Sequence, residues 1–164
     1  MMRKQKMRIC LWFDNQAEEA ARYYTSIFKD SAIGSISRFK KEGFDYHQKP
    51  EGSVMTVEFM LNGMQFLALN GGPQFSFDEA MSVMVYCDTQ EEVDHYWANL
   101  TAGGSESMCG WLKDRFGVSW QIIPEELKNY LGAEDKEKSG KAMNAMFQMK
   151  KIDINEIKKA FYGK

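Results

Sequence analysis

The stretch FDNQAEEAARYYTSI, residues 13–27, has a weaker copy in CDTQEEVDHYWANL, residues 87–100. In each copy the apolar residues fall at i, i+3, i+4 and i+7, the spacing of one buried helix face. They are Ala20, Tyr23, Tyr24 and Ile27 in the first copy and Val93, Tyr96, Trp97 and Leu100 in the second. Every member of the second set follows its counterpart by 73 residues. The sequence therefore predicts two helices of one design, and a structural unit that occurs twice.

Each helix is predicted to begin with a capping box, in which a side-chain acceptor and a carboxylate satisfy free amides of the first turn. Asn15 is followed three residues later by Glu18, and Thr89 is followed in the same way by Glu92. The two boxes place the helix starts at equivalent points of the two copies.

Strand-like segments flank both helices. The runs ICLWF, from residue 9, and SVMVYC, from residue 82, precede them. After the first helix, Asn62-Gly63 separates two alternating runs, which is a strong signal for a tight hairpin. After the second, CGWLKDRFGVSWQII predicts a hairpin that closes from Asp114 to Gly117. The order strand, helix, then two or three strands, written twice, predicts an α+β fold of two βαβββ modules that share a core.

The module boundaries follow from this order. We predict module one over residues 8–72 and module two over residues 80–124, with an extended connector between them. Residues 133–164 are predicted to be a C-terminal helical extension of the same domain. In that region PEELKNYL forms a short helix, GAEDKEKSG a polar linker, and KAMNAMFQM and DINEIKKAFYG two further helices. A third capping box, Asp153 with Glu156, begins the last helix.

Bulk composition narrows the function classes. The net charge of −2, from 21 basic and 23 acidic residues, gives no general attraction to nucleic acid or anionic lipid. No apolar run approaches the roughly 20 residues that span a bilayer, and we expect neither a membrane segment nor a signal peptide. Cys10, Cys87 and Cys109 are an odd, widely spaced set. That usage predicts a cytoplasmic protein.

These segments resemble a known family. Paired βαβββ units are similar to the glyoxalase, bleomycin-resistance and extradiol-dioxygenase superfamily, also called vicinal oxygen chelate proteins. LWFDNQAEEAARYYTSIF, EFMLNGMQFLALNGGPQFSF, QEEVDHYW, CGWLKDRFGVSWQIIP and KAMNAMFQMKKIDI resemble its PhnB-like branch, often labelled demethylubiquinone methyltransferase-like. The resemblance runs from about Arg8 to Phe161 and implies one glyoxalase-like domain over residues 8–132. It also implies two facing troughs around a ligand cavity, and a homodimer, commonly with modules exchanged about the connector from Gly71 to Ala80.

Enzymes of this superfamily hold a divalent metal with His and Glu side chains from four strands. Carried over, those positions fall on Arg8, Phe66, Ser82 and Gln121, with a tolerance of one residue that is greatest at Phe66. None of these is a good metal ligand. The two histidines, His47 in a polar loop and His95 on a helix, are predicted to be solvated at the surface. The sequence therefore predicts no metal and no cofactor.

The methyltransferase label has no support in the sequence motifs. Adenosyl cofactors usually bind at a glycine-rich turn between a parallel strand and a helix. Here Gly71-Gly72-Pro73 follows a strand and leads into an extended segment. Pro73 also removes a backbone amide that could have held an anionic group.

Strand alternation sorts the side chains between trough and helices. We predict that Cys10, Ala68, Met84 and Ser119 face the trough, and that Ile9, Leu11, Trp120 and Ile122 face the helices. The residues predicted to line the ligand cavity are Arg8, Trp12, Phe66, Asn70, Ser82, Tyr86, Trp111 and Gln121. The pattern leaves the side of Trp111 open, and leaves the role of Arg8 open between an acidic ligand group, a dimer seam and solvent. Aromatic and thioether walls with a few neutral polar groups suit a flat, partly apolar small molecule.

Three functions compete at this point. The first is a dimeric protein that binds a small organic molecule without a metal. The second is a metal-independent enzyme acting in the same cavity, with Cys109 or Cys10 as nucleophile or Asp114 as base. The third is a protein-interaction role for the Met-rich helix, whose predicted apolar face comprises Ala142, Met143, Met146, Phe147 and Met149. The sequence decides neither the ligand nor whether there is catalysis.

Overall fold

The computed structural model describes residues 6–163 of the chain. The chain divides between Ser76 and Phe77 into two compact units, called here the first and the second unit. In the described part of the chain, no helix is both long and apolar enough to cross a membrane.

The first unit is a four-stranded sheet with one long helix. Its elements are β1 (Ile9–Phe13), α1 (Ala17–Ile27), β2 (Ala32–Arg38), α2 (Phe44–His47), β3 (Val54–Leu61) and β4 (Met64–Asn70). The strand order is β1-β4-β3-β2, in which β1 runs parallel to β4 and the other pairs are antiparallel. Tyr24 of α1 stacks on Phe59, and Phe59 stacks on Phe66, with ring centroids 6.0 and 5.1 Å apart. The core of this unit therefore lies between α1 and one face of the sheet.

The hairpin predicted at Asn62-Gly63 is confirmed. Leu61 pairs with Met64 across a two-residue turn, and both turn residues have positive φ, 45° for Asn62 and 81° for Gly63. Only a turn with this backbone twist joins two strands so tightly, which is why Asn-Gly marks it in the sequence.

The second unit repeats the topology of the first. Its sheet contains β5 (Val83–Cys87), β6 (Ser105–Glu106), β7 (Trp111–Lys113) and β8 (Ser119–Pro124), and α3 (Gln90–Thr101) packs on it. The order β5-β8-β7-β6 has its one parallel pair, β5 with β8, where the first sheet has β1 with β4. Val93, Trp97 and Leu100 are buried, as the duplicated spacing predicts. The predicted α+β architecture with a repeated βαβββ module is thus confirmed.

Three helices follow the second sheet: α4 (Leu127–Leu131), α5 (Lys136–Phe147) and α6 (Ile154–Tyr162). The predicted polar linker is wrong over its last five residues. Asp135 accepts a hydrogen bond from the amide of Lys138, so α5 begins at Lys136. The helices form a core with Ile123 at its edge, and its buried members are Leu127, Tyr130, Ala142, Ile152, Ile154 and Ile157.

The three predicted helix caps have different outcomes. Thr89 accepts from the amide of Glu92, and Asp153 accepts from the amides of Asn155 and Glu156, as predicted. The prediction for α1 is wrong. Its cap is Asn70 of β4, whose Oδ1 accepts from the amide of Ala17 at 2.8 Å. A partner 53 residues away is invisible to a rule that reads only the residues beside the helix.

Candidate functional site

Each sheet has one face packed against its helix and one face turned away from it, called here the distal face. In the first unit the buried side chains of β1 and β3, Leu11, Phe13, Val57, Phe59 and Leu61, lie on the α1 side. The alternate residues form the distal face and remain half-buried or exposed. These alternate residues are therefore the ones that could form a binding surface on either sheet.

Alternation places Arg8, Cys10 and Trp12 on the distal face of the first sheet, as predicted. The prediction is wrong for Phe66, which is 1% exposed and stacked on Phe59 beneath α1. It is also wrong for Asn70, a buried residue that caps α1 and donates to the carbonyl of Val54.

The error is a one-residue shift of β4. The register pairs Cys10 with Leu67 and Trp12 with Leu69, so Gln65, Leu67 and Leu69 are the distal residues of that strand. Such a shift moves every side chain of a strand to the other face. It also means that Ala68, predicted to face the trough, is a fully buried core residue.

Trp12 is held firmly on the distal face. Its indole Nε1 donates to the carbonyl oxygen of Gly72 at 2.9 Å, and the edge of Phe75 meets the ring at a centroid distance of 5.0 Å. A Cβ atom on Gly71 would lie 2.1 Å from the indole, so only glycine allows this approach. Gly71 and Gly72, predicted only as part of the region around the connector, thus also hold the tryptophan in place.

A polar cluster of Arg8, Ser35 and Glu58 lies on the same sheet, and Arg8 is the one member that was predicted from the sequence. Arg8 Nη1 donates to Glu58 Oε1 at 2.5 Å, and Ser35 Oγ donates to Glu58 Oε2 at 2.8 Å. The hydrogen bond from Arg8, followed by that from Ser35, holds the pKa of Glu58 below its ordinary value of 4.5. Glu58 is therefore an ionised partner of Arg8 at neutral pH. Alternation along β3, in which Val57 and Phe59 are buried, places Glu58 on the distal face, so the sequence pattern could have indicated it.

The second unit brings its four predicted residues onto one face. Gln121 pairs in register with Met84 on one side and Trp111 on the other, which settles the side of Trp111. Gln121 Nε2 donates to Ser82 Oγ at 2.9 Å. Tyr86 lies on the same face and is 60% exposed. Ser119 shares the face but is buried, and it donates to the carbonyl of Asp78.

The geometry does not favour the proposed catalytic residues. Burial raises the pKa of the Cys10 thiol, an effect that neighbouring Arg8 only partly offsets. Cys109 is half-buried, and its thiol donates to the carbonyl of Met146. Both oxygens of Asp114 are engaged. One accepts from the amides of Phe116 and Val118, and the other accepts from the indole of Trp120. Asp114 thus closes the predicted hairpin, in which Gly117 has a φ of 88°.

The donor set does not fit the metal of the superfamily enzymes. The equivalent positions carry Arg8, Ser82 and Gln121, together with β4, where the distal residues are Gln65 and Leu67. Within residues 6–163, no three His, Cys, Asp or Glu side chains converge as a metal site requires. His95 is exposed on α3, as predicted. His47 is partly exposed, its ring lies tilted against that of Phe39 at a centroid distance of 4.7 Å, and its Nδ1 accepts from the amide of Lys49.

The buried apolar face of the Met-rich helix α5 is narrower than predicted. Ala142 is fully buried, and Met146 and Met149 pack on the C-terminal core. Met143 and Phe147, which were predicted to belong to the same apolar face, are 40% and 56% exposed. The main role of the buried side is to attach α5 to its own unit.

The sequence and the fold are similar to those of known proteins. A sequence profile described as 3-demethylubiquinone-9 3-methyltransferase matches residues 5–123. The PhnB protein of Bacillus cereus is 38% identical, with a TM-score of 0.65, over 73% of this chain and 99% of the relative. Protein PA1353 of Pseudomonas aeruginosa is 19% identical, with a TM-score of 0.59, over 74% of this chain and 98% of its own. No match was found among curated proteins.

A further likeness is to FosX, a genomically encoded fosfomycin resistance protein of Listeria monocytogenes. It is 16% identical, with a TM-score of 0.54, over 80% of this chain and 99% of its own. Fold and neighbours together define a two-module α+β protein that shares its fold with FosX. The chain belongs to the PhnB-like family, whose profile is described as 3-demethylubiquinone-9 3-methyltransferase.

Proposed function

We propose that the chain binds a small, flat, partly apolar organic molecule on the distal faces of its sheets, without a metal ion. The observation that carries this proposal is the seating of Trp12. Its indole is fixed by Gly72, approached closely by Gly71 and flanked by Phe75. A tryptophan immobilised on a sheet face that its own helix does not cover is ready to stack a planar ligand at small entropic cost.

Other side chains on the distal face of each sheet support the same proposal. Leu67 and Leu69 lie beside Trp12 on the first distal face and add apolar surface to it. On the second distal face, Tyr86 and Trp111 accompany a hydrogen-bonded pair of neutral groups, Ser82 and Gln121. Apolar walls with a few oriented polar groups are the usual composition of a small-molecule site. The six predicted cavity residues that lie on distal faces are thus Arg8, Trp12, Ser82, Tyr86, Trp111 and Gln121.

The absence of a bound metal is part of the proposal and rests on the donor set. An arginine stands where the first ligand of the superfamily site would be, and it is engaged with Glu58. Elemental analysis of the purified protein tests this part. We expect divalent metal far below one ion per chain, and stoichiometric zinc, iron, nickel or manganese would contradict it.

Methyl transfer is not part of the proposal, despite the description of the family profile. After β4 the chain continues through Gly71 and Gly72 to Ser82 without a helix. The strand-to-helix turn that usually holds an adenosyl cofactor therefore has no counterpart there. The geometry of Cys10, Cys109 and Asp114 also gives no support to a metal-independent enzyme.

A homodimer in the cytoplasm completes the proposal. The second distal face exposes large apolar groups, with Met84 at 45% and Tyr86 at 60%, and a second copy is a natural partner for such surface. All three cysteines are unpaired, which suits a reducing compartment. Light scattering at micromolar concentration should give twice the 18.9 kDa mass of the chain. A monomeric mass would refute the dimer without affecting the binding proposal.

The binding proposal is tested by a thermal-shift screen of flat aromatic compounds, followed by titration of the hits against Trp12→Phe. Because the smaller ring cannot donate to Gly72, we expect hits to lose about tenfold in affinity, the value of one good aromatic contact. Trp97→Phe is the matched control, since Trp97 is 6% exposed on α3 and donates to Glu106. The proposal fails if no compound stabilises the protein, or if the two variants weaken binding equally.

A further inference from the structure

The polar cluster beside Trp12 borders a small concavity, called here the niche. It has a volume of about 100 Å³ and lies within the first unit. Its polar lining is Arg8, Glu58 and Gln65, and its apolar lining includes Ala32, Ile33 and Met60. The volume accommodates one functional group rather than a whole ligand, so the niche is suited to the polar end of a larger molecule.

Close packing of the β2 and β3 backbones determines the shape of the niche. Gly34 of β2 lines it, and a Cβ there would lie 3.2 Å from both Cβ and the carbonyl oxygen of Glu58. Glycine thus lets β2 approach β3 closely at Glu58. Ser35, the next residue, donates to the Glu58 carboxylate and fixes its orientation. The carboxylate is therefore positioned by two partners, Ser35 of β2 and Arg8 immediately before β1.

The charges of the niche cancel. Arg8 and Glu58 form an ion pair at 2.5 Å, and their side chains are 44% and 42% exposed. Within residues 6–163, Glu58 is the side chain to which Arg8 donates, and it engages one of the five N–H donors of the guanidinium group. Glu58 has used one acceptor site on each oxygen and retains others. The niche thus presents donors and acceptors side by side with no net charge.

We propose that the niche binds an uncharged group that both accepts and donates hydrogen bonds, of which a primary carboxamide is the simplest case, in preference to an anionic group. The carbonyl oxygen of such a group would accept from Arg8, and its N–H would donate to Glu58. The inference rests on the proposed binding function and specifies the ligand's polar end. The apolar body of the ligand would extend from the niche toward Leu67 and Trp12.

An anion is disfavoured by the fixed carboxylate. A carboxylate or phosphonate that approached Arg8 would come within a few ångströms of Glu58, and like charges at that distance repel. Displacing Glu58 would also break its hydrogen bond from Ser35. A neutral group meets neither cost.

The test is a comparison of three probes with the same ring: benzamide, benzoate and phenylphosphonate. Each is titrated into isotopically labelled full-length protein at neutral pH, and amide resonances are followed by NMR. We expect benzamide to shift the signals of Gly34, Glu58 and Gln65, with an affinity roughly fivefold above that of either anion, the scale of one partly exposed charge interaction.

The decisive variant is Glu58→Gln, which keeps one acceptor oxygen for Arg8, places an amide N–H that can donate to Ser35 Oγ, and removes the negative charge. The charge of Arg8 is then uncompensated, so benzoate should bind more tightly than benzamide, the reverse of the wild-type order of affinities. Glu79→Gln is the matched control, because it removes a comparable ion-pair carboxylate, 2.7 Å from Lys113 in the second unit. That control should keep the wild-type order.

The outcomes separate this inference from the function on which it rests. If the probes shift the Trp12 indole signal but leave Gly34, Glu58 and Gln65 unchanged, the binding proposal stands and the niche assignment is wrong. The assignment is also wrong if an anion binds best to the wild-type protein, or if Glu58→Gln keeps the wild-type order. A lack of any shift with all three probes overturns it as well.

Discussion

The two units share one topology but differ in how their sheets are completed. In the first unit β2 and β3 are seven and eight residues long, whereas their counterparts β6 and β7 have two and three. The second unit instead continues into α4, α5 and α6, whose core takes in Ile123 at the end of β8. A duplicated module therefore keeps its strand order even when strand length is lost, provided that other apolar surface is buried.

The C-terminal helices are tied to the second unit by main-chain and side-chain bonds. The amides of Cys109 and Gly110 donate to the carbonyls of Met149 and Lys150, each at 2.7 Å. The Gln90 side chain donates to the carbonyl of Ile152 and accepts from the amide of Ile154. The family profile ends at residue 123, so these helices lie beyond the matched region. We infer that they compensate for the short strands of the second sheet.

The largest expected effect tests that compensation. Ile152→Ala removes a fully buried side chain from the C-terminal core, and it should lower the free energy of unfolding by about 2–4 kcal/mol. Chemical denaturation measures the change. Met143→Ala on the exposed side of α5 should stay within about 0.5 kcal/mol of the parent. If the two variants are equally stable, the helices do not support the second unit.

The next effect concerns the first unit alone. Gly71→Ala places a methyl group inside the Trp12 indole and should cost about 1–3 kcal/mol. The displaced indole should also change the protein's intrinsic fluorescence. Gly140→Ala on α5 meets nothing within 4 Å and should instead stabilise by about 0.5–1 kcal/mol. A silent Gly71→Ala would show that Trp12 is not held as described.

The helix caps give a smaller and more direct comparison of the units. Asn70→Ala removes the cap of α1 and also removes the side-chain donor to the partly buried carbonyl of Val54, so we expect a loss of about 2 kcal/mol. Thr89→Ala removes only the exposed cap of α3 and should cost about 1 kcal/mol. Thermal unfolding of both variants measures the difference. Equal losses would mean that the buried cap is worth no more than the local one.

The smallest effect is the pH dependence of the niche. Because the folded-state pKa of Glu58 is lowered, its ion pair stabilises the fold above about pH 4.5, and this contribution disappears as the pH falls through the folded value. The side chain is 42% exposed, so less than about 1 kcal/mol is expected. The stability advantage over Glu58→Gln should therefore shrink between pH 7 and pH 3. A constant advantage would show that the charge of Glu58 contributes nothing.

Local signals in the sequence predicted turns and helix caps well, but they predicted the side of the sheet on which a strand residue lies less reliably. The Asn62-Gly63 turn, the Asp114 turn and the cap at Thr89 depend on neighbouring residues, and all are present in the structure. The side on which Phe66 lies depends on the register between β1 and β4, which are separated by two helices and two strands. No short pattern encodes that register, and an error of one residue reversed the strand.

The sequence by itself determined the duplicated βαβββ order and the two buried helix faces, because residue type and short spacing are enough to specify them. Only the tertiary structure decided which side chains share a surface. It paired Arg8 with Glu58, joined Asn70 to the start of α1, and seated Trp12 on Gly71 and Gly72. These contacts join residues roughly 50 to 60 positions apart, and their geometry follows from strand register and packing rather than from any local preference.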